Sequence, residues 1–130
     1  MSAADARGTA SRDVVDHAVR AFSGHRFGEV YDRIAPDARW VVRGGTTYDG
    51  RDAIVAACEE TLTELEGGTS EFERFVVIVD GWRAAVDVVA RYRDAAGDLT
   101  VVSSCDLYEF EDGEISRITS YNFEIDVDEQ

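Results

Sequence analysis

In the stretch CDLYEFEDGEISRITSY, residues 105–121, one ionisable group sits among aromatics. Side chains of a strand alternate between two faces, so Ser104, Asp106, Tyr108 and Phe110 share one face, while Cys105, Leu107 and Glu109 share the other. A carboxylate beside two large rings is costly to keep charged unless donors or a counter-ion reach it, and desolvation raises its pKa. Asp106 is therefore the candidate acid/base group. Protonated, it donates a hydrogen bond; poised near neutrality, it moves a proton to or from an apolar, carbonyl-bearing molecule. The competing reading is structural: Asp106 bonds a tyrosine, a strand-end amide or an arginine such as Arg91 or Arg117, in a protein that only binds.

If that face turns inward, Trp40 joins Tyr108 and Phe110 around the acid. Asp87, in AAVDVVA, has apolar neighbours on both sides, so its face is not readable. Tyr31 lies on a helical stripe and reads equally as core or as a hydroxyl lining a pocket. His17 and His25 read as exposed or satisfied side chains, and Trp82, after the Asp80-Gly81 turn, as a packing or interface residue. No CxxC is present and there are only two histidines, so neither a metal nor a cofactor is expected. No GxSxG, Walker, Rossmann or HExxH pattern occurs, which leaves nucleotide hydrolysis, dinucleotide redox chemistry and zinc proteolysis without support.

The chain carries 27 acids and 13 bases, all arginine, for a formal net charge of −14. Such a field repels phosphate, which argues against nucleic acid, acidic membranes and strongly anionic substrates as partners. A lysine-free, acid-rich composition suits a GC-rich genome or a high-salt cytoplasm equally well. Cys58 and Cys105 lie far apart inside apolar patterns and read as reduced thiols of a cytoplasmic protein. The first residues, MSAADARGTASRD, lack the apolar centre of a signal peptide.

The elements that must position Asp106 follow from periodicity. The expected layout is one domain over 11–126, with a disordered tail at 1–10 and a short tail at 127–130. Ser11 caps a first helix whose stripe runs Val14, Val15, Ala18, Val19, Ala21, Phe22, and Gly24 stops it. A second short helix fits 27–34, closed by Pro36. ARWVVR, 38–43, reads as a strand, GGTTYDG as turns, and 51–65 as a third helix. Four strands follow at 72–79, 82–93, 99–110 and 115–125, joined by short turns into an antiparallel meander. The fold class is α+β, three helices on one curved sheet. The strand centres are apolar on both faces, so a symmetric homodimer is expected to cover the outer one.

PDARWVVRG, YDGRDAI and CDLYEFEDGEISRI with its following SY resemble the nuclear transport factor 2-like superfamily, in particular its SnoaL-like branch, over residues 12–125. The resemblance implies a cone: a strongly bent, mostly antiparallel sheet around the helices, with an apolar pocket at the open end. Some members are enzymes, among them ketosteroid isomerase and SnoaL-type polyketide cyclases, and others only bind. Matched on DLYEF, the protonated oxyanion-hole aspartate of ketosteroid isomerase falls at Asp106. Its base falls at Val41 or Val42 and its helix-one tyrosine at Ala18, so that mechanism does not carry over, and Val42 stands as apolar pocket wall. The register of the last strand depends on one turn. A two-residue Asp112-Gly113 turn puts Arg117, Thr119 and Tyr121 beside Asp106, whereas a three-residue loop puts Ile118, Ser120 and Asn122 there. The resemblance favours the second arrangement and adds Ser120 and Asn122 to the pocket. The expected function is binding of a small, neutral, largely apolar molecule, with a cofactor-independent isomerase, cyclase or hydratase using Asp106 as one reading. A non-catalytic ligand-binding or interaction module is the alternative.

Overall fold

The computed structural model describes residues 11–126; the tails expected at 1–10 and 127–130 lie outside the described residues. The first helix, α1, spans Arg12–Ser23. Ser11 caps it, accepting from the Val14 N–H at 3.1 Å. Its apolar stripe buries Val15, Ala18, Val19 and Phe22, as expected of an amphipathic helix laid on a sheet.

The expected second helix does not form. Its place is taken by two 3-10 turns, Phe27–Glu29 and Tyr31–Arg33, and Ile34 already begins β1, Ile34–Val42. Gly28 is a poor helix former and Val30 and Ile34 are β-branched. Tertiary pairing decides the rest: Ile34 lies opposite Ile115 of the last strand. Pro36 lies inside β1, where the register to that strand shifts between Ile34 and Arg39, the kind of irregularity where a residue without an N–H is tolerated. A three-residue strand, β2 (Thr47–Asp49), falls within the expected turn region.

Helix α2 spans Arg51–Leu65 and buries Ile54, Ala57 and Cys58. The meander follows as β3 (Thr69–Asp80), β4 (Arg83–Arg93), β5 (Leu99–Glu111) and β6 (Glu114–Ile125). The six strands form one sheet in the order β2-β1-β6-β5-β4-β3. All neighbours are antiparallel except β1 and β6. The core lies between the helices and the concave face, where Val86, Val88, Ile115, Ile118, Tyr108 and Phe110 are buried.

The β5–β6 turn resolves the register question in an unforeseen way. Asp112 and Gly113 have φ of 52° and 81°, the positive pair of a two-residue I′ turn. That turn alone would bring Thr119 opposite Asp106. The register slips between Glu109 and Phe110, however, leaving Ser116 as an extra residue, so Asp106 lies opposite Ser120 and Ser104 opposite Asn122. The Ser116 hydroxyl donates to the Glu109 carbonyl at 3.0 Å and holds this bulge. The face is that of the three-residue loop; its cause is a bulge.

Candidate active site

Three elements converge on Asp106. Ser23 extends the helical spacing from Val19 by one turn, so α1 turns it towards the sheet, where it is buried. β5 supplies Asp106 and Tyr108, two residues apart on one face; β6 supplies Ser120 directly opposite Asp106. β1 brings Trp40 beside Ile118.

The contacts form one chain of hydrogen bonds. The Ser120 hydroxyl donates to Asp106 Oδ1 at 2.6 Å and the Ser23 hydroxyl to Oδ2 at 2.7 Å. Trp40 Nε1–H donates to Ser120 Oγ at 2.9 Å, and the Tyr108 hydroxyl lies 2.6 Å from Ser23 Oγ. Donor inventory sets the proton order. An indole N–H only donates, so Ser120 is left to give its own proton to the acid. Ser23 spends its single proton on Oδ2, so Tyr108 donates to Ser23. Every donor in the chain points at Asp106, the arrangement that suits a carboxylate. Burial acts the other way: it pushes the Asp106 carboxyl above its ordinary value of 3.8, against the pull of the Ser120 and Ser23 bonds. The Tyr108 phenol is raised well above its own ordinary value, by burial first and by the charge of Asp106 second, so it keeps its proton.

Asp106 opens onto a cavity of about 450 Å³ between α1, α2 and the concave face. Of the residues singled out in the sequence, Trp40, Val42, Asp106, Ser120 and Asn122 line it together. Three others do not. Phe110 is in the core at 1% exposure. Tyr108 is equally buried and reaches the acid only through Ser23. Tyr31 donates to Glu59 at 2.7 Å away from the cavity, because it sits in a 3-10 turn instead of on a helix. Asp87 faces the opposite side of the sheet, 2.7 Å from Arg74. Arg91 and Arg117, candidate partners of Asp106, pair instead with Glu73 at 3.1 Å and Glu109 at 3.8 Å.

Ser23, not singled out by sequence pattern, and His25, read there as an exposed or satisfied side chain, also line the cavity. The signal for Ser23 was its place on the buried stripe. His25 lines the cavity with its ring among Phe27, Phe72 and Tyr92, at centroid distances of 5.5, 5.7 and 5.9 Å. It ends α1 in a Schellman motif, with the Arg26 N–H bonding the Ala21 carbonyl at 2.8 Å and the His25 N–H bonding that of Phe22 at 3.2 Å. That motif needs a left-handed residue, usually glycine, and here His25 takes it at φ 63°. Gly24, one position earlier, is required for a different reason: a Cβ there would lie 2.6 Å from the Arg20 carbonyl oxygen. Burial lowers the pKa of His25, so the imidazole is neutral near pH 7. Among the described residues no group of three or more His, Cys, Asp or Glu side chains is placed to hold a metal ion.

A family model described as the SnoaL-like domain matches residues 15–118. The chain belongs to the SnoaL-like domain family. No curated protein sequence matches it. Among solved structures, a nuclear transport factor 2-like protein of unknown function from Cytophaga hutchinsonii is 27% identical, with TM-score 0.77 over 88% of this chain and 100% of that one. A candidate polyketide cyclase from Xanthomonas campestris is 20% identical, with TM-score 0.68 over 84% and 87%. A Catenulispora acidiphila protein with a ketosteroid isomerase-like fold, in complex with trimethylamine, is 17% identical, with TM-score 0.63 over 86% of each chain. In this SnoaL-like chain Val42 lines the cavity, whereas Val41 pairs with Thr119, which lies on the other face of β6 from Ser120. No helix among the described residues is long and apolar enough to cross a membrane.

Proposed function

We propose that the chain binds a small, largely apolar molecule in the cone and that Asp106 exchanges a proton with it, in a cofactor-independent isomerisation, cyclisation or hydration. One observation carries this reading: a carboxyl with its pKa raised by burial forms part of the wall of a 450 Å³ cavity, with each oxygen tied to a serine. Such a group stands closer to neutrality than an ordinary aspartate, which is what general acid/base work asks of it. A carbon-13 carboxyl titration tests it. The Asp106 midpoint is expected above 3.8; a midpoint at or below that value removes Asp106 from acid/base work.

The second reading is non-catalytic binding in the same cavity. It is favoured by Val42, an apolar wall at the position where the resemblance to ketosteroid isomerase would put a base. The two separate on turnover: a binder returns its ligand unchanged.

We also propose that a second copy of the chain covers the outer face. Val76, Ile78, Leu107, Tyr121 and Phe123 are the exposed large hydrophobics among the described residues. All five lie on that face by strand alternation, and a patch of this kind favours association. Phe123→Glu is expected to shift the species seen in sedimentation velocity from dimer to monomer; a monomer already in the parent protein rejects the dimer. Residence in the cytoplasm is proposed with it, supported by the free thiols of Cys58 and Cys105.

A further inference from the structure

The walls of the cavity carry a charge bias. Asp106 and, at the rim, Glu64 line it, while none of the described arginines does. Seven of the described arginines are committed elsewhere: Arg20, Arg26, Arg39, Arg74, Arg83, Arg91 and Arg117 each pair with another carboxylate. Asp106 is thus an acid of the interior whose direct hydrogen-bond partners are two neutral hydroxyls. Buried charges in proteins are normally paired with an opposite charge.

The remaining wall is aromatic. Phe22, Phe27, Trp40, Tyr48 and Tyr92 line the cavity, with Phe22 and Tyr48 rings 5.1 and 5.3 Å from that of Trp40. Ring faces are negative and attract cations, most of all where water is excluded. The field of Asp106 reaches Tyr92, whose phenol is raised by burial first and by that charge second. The charges and rings of the lining point the same way: an anion meets two carboxylates with no arginine in the wall, whereas a cation meets ring faces and supplies the counter-charge that Asp106 lacks.

From this lining we infer that the cavity takes a small organic cation, an alkylammonium head bearing an apolar tail, with Asp106 as its counter-ion and the Trp40–Tyr48–Phe22 rings as its wall. This inference rests on the proposed pocket reading and replaces the neutral ligand expected from the sequence. With the cation bound, Asp106 is held as the carboxylate, so any proton transfer begins with it as acceptor.

The test compares choline with 3,3-dimethylbutan-1-ol, which has the same shape with carbon in place of the charged nitrogen, by calorimetry on the full chain near pH 7. Choline is expected to bind at least about tenfold tighter, the scale of one desolvated cation–π contact plus a counter-ion. In Asp106→Asn, checked for native circular dichroism, that preference is expected to fall towards one. Equal or tighter binding of the neutral alcohol by the parent protein overturns the charge assignment and leaves the pocket reading standing. Binding of neither at millimolar concentration overturns both. A preference for choline that survives Asp106→Asn intact rejects Asp106 as the counter-ion.

Discussion

Asp87 and Asp106 sit on neighbouring strands, one ladder step apart, since Val86 faces Asp106 and Asp87 faces Cys105. They have the same side chain and opposite surroundings. Asp87 points outward to Arg74, in an ion pair whose members are 46% and 56% exposed. Asp106 points inward to Ser23 and Ser120, backed by Tyr108 and Trp40, with no arginine. The alternation of a strand is thus enough to turn one residue type into a surface charge in an ion pair and into a carboxyl in the cavity wall held by hydroxyls. Partner chemistry separates them: a guanidinium satisfies a charge, whereas hydroxyls hold a carboxyl in place and leave its charge unbalanced.

The sharpest way to break this contrast is on the inner face. Ser23→Ala removes the donor to Asp106 Oδ2 and strands the Tyr108 hydroxyl, which is 1% exposed. A buried polar group left unpaired costs about 1–3 kcal/mol, to be read by urea denaturation. No loss would mean that Tyr108 finds another partner.

A smaller effect is expected from pH, because two serine bonds oppose the shift of Asp106. A carboxyl whose folded pKa is raised contributes stability that is fully present below its unfolded value, near 3.8, and lost as pH rises through the folded value. The stability of the parent protein minus that of Asp106→Asn should therefore fall as pH rises from about 3.8, a difference that cancels the other acids common to both. A rising difference would show that the serine bonds outweigh burial.

The smallest effect is expected outside. In the Phe123→Glu background, where the outer face is open to water, Asp87→Asn breaks an exposed pair and should cost less than about 1 kcal/mol, vanishing in high salt. A larger loss there would mean that the Arg74–Asp87 pair is shielded from solvent within the single chain.

How much of this was readable depended on range. Asp106 was visible because alternation along DLYEF is local, and the limits of the four meander strands came within about three residues because turn chemistry is local as well, whereas β1 begins four residues before the expected Ala38. The helix assigned to 27–34 failed because spacing of Phe27, Val30, Tyr31 and Ile34 is blind to the pull of β6 on Ile34. Partners of the acid were harder. Ser23 lies 83 positions before Asp106, and nothing in either neighbourhood names the other. Tyr108 and Phe110 were assigned the correct face, but alternation carries no depth, and both lie behind the cavity wall. His25 was passed over because a side chain after a helix stop is usually solvated; the αL turn aims its ring inward.

The extra residue at Ser116 writes a decoy into the chain. The same two-residue turn, zipped straight, offers a competing ladder that presents Thr119 and Tyr121 to the hollow, pulls Arg117 indoors and casts Ile118 out. Ile118 is fully sequestered and Arg117 ion-paired in the native form, so hydrophobic sorting disfavours the straight ladder. A ribbon shortened by that one serine would carry the same turn on an unbroken ladder, with Ser120 still across from Asp106.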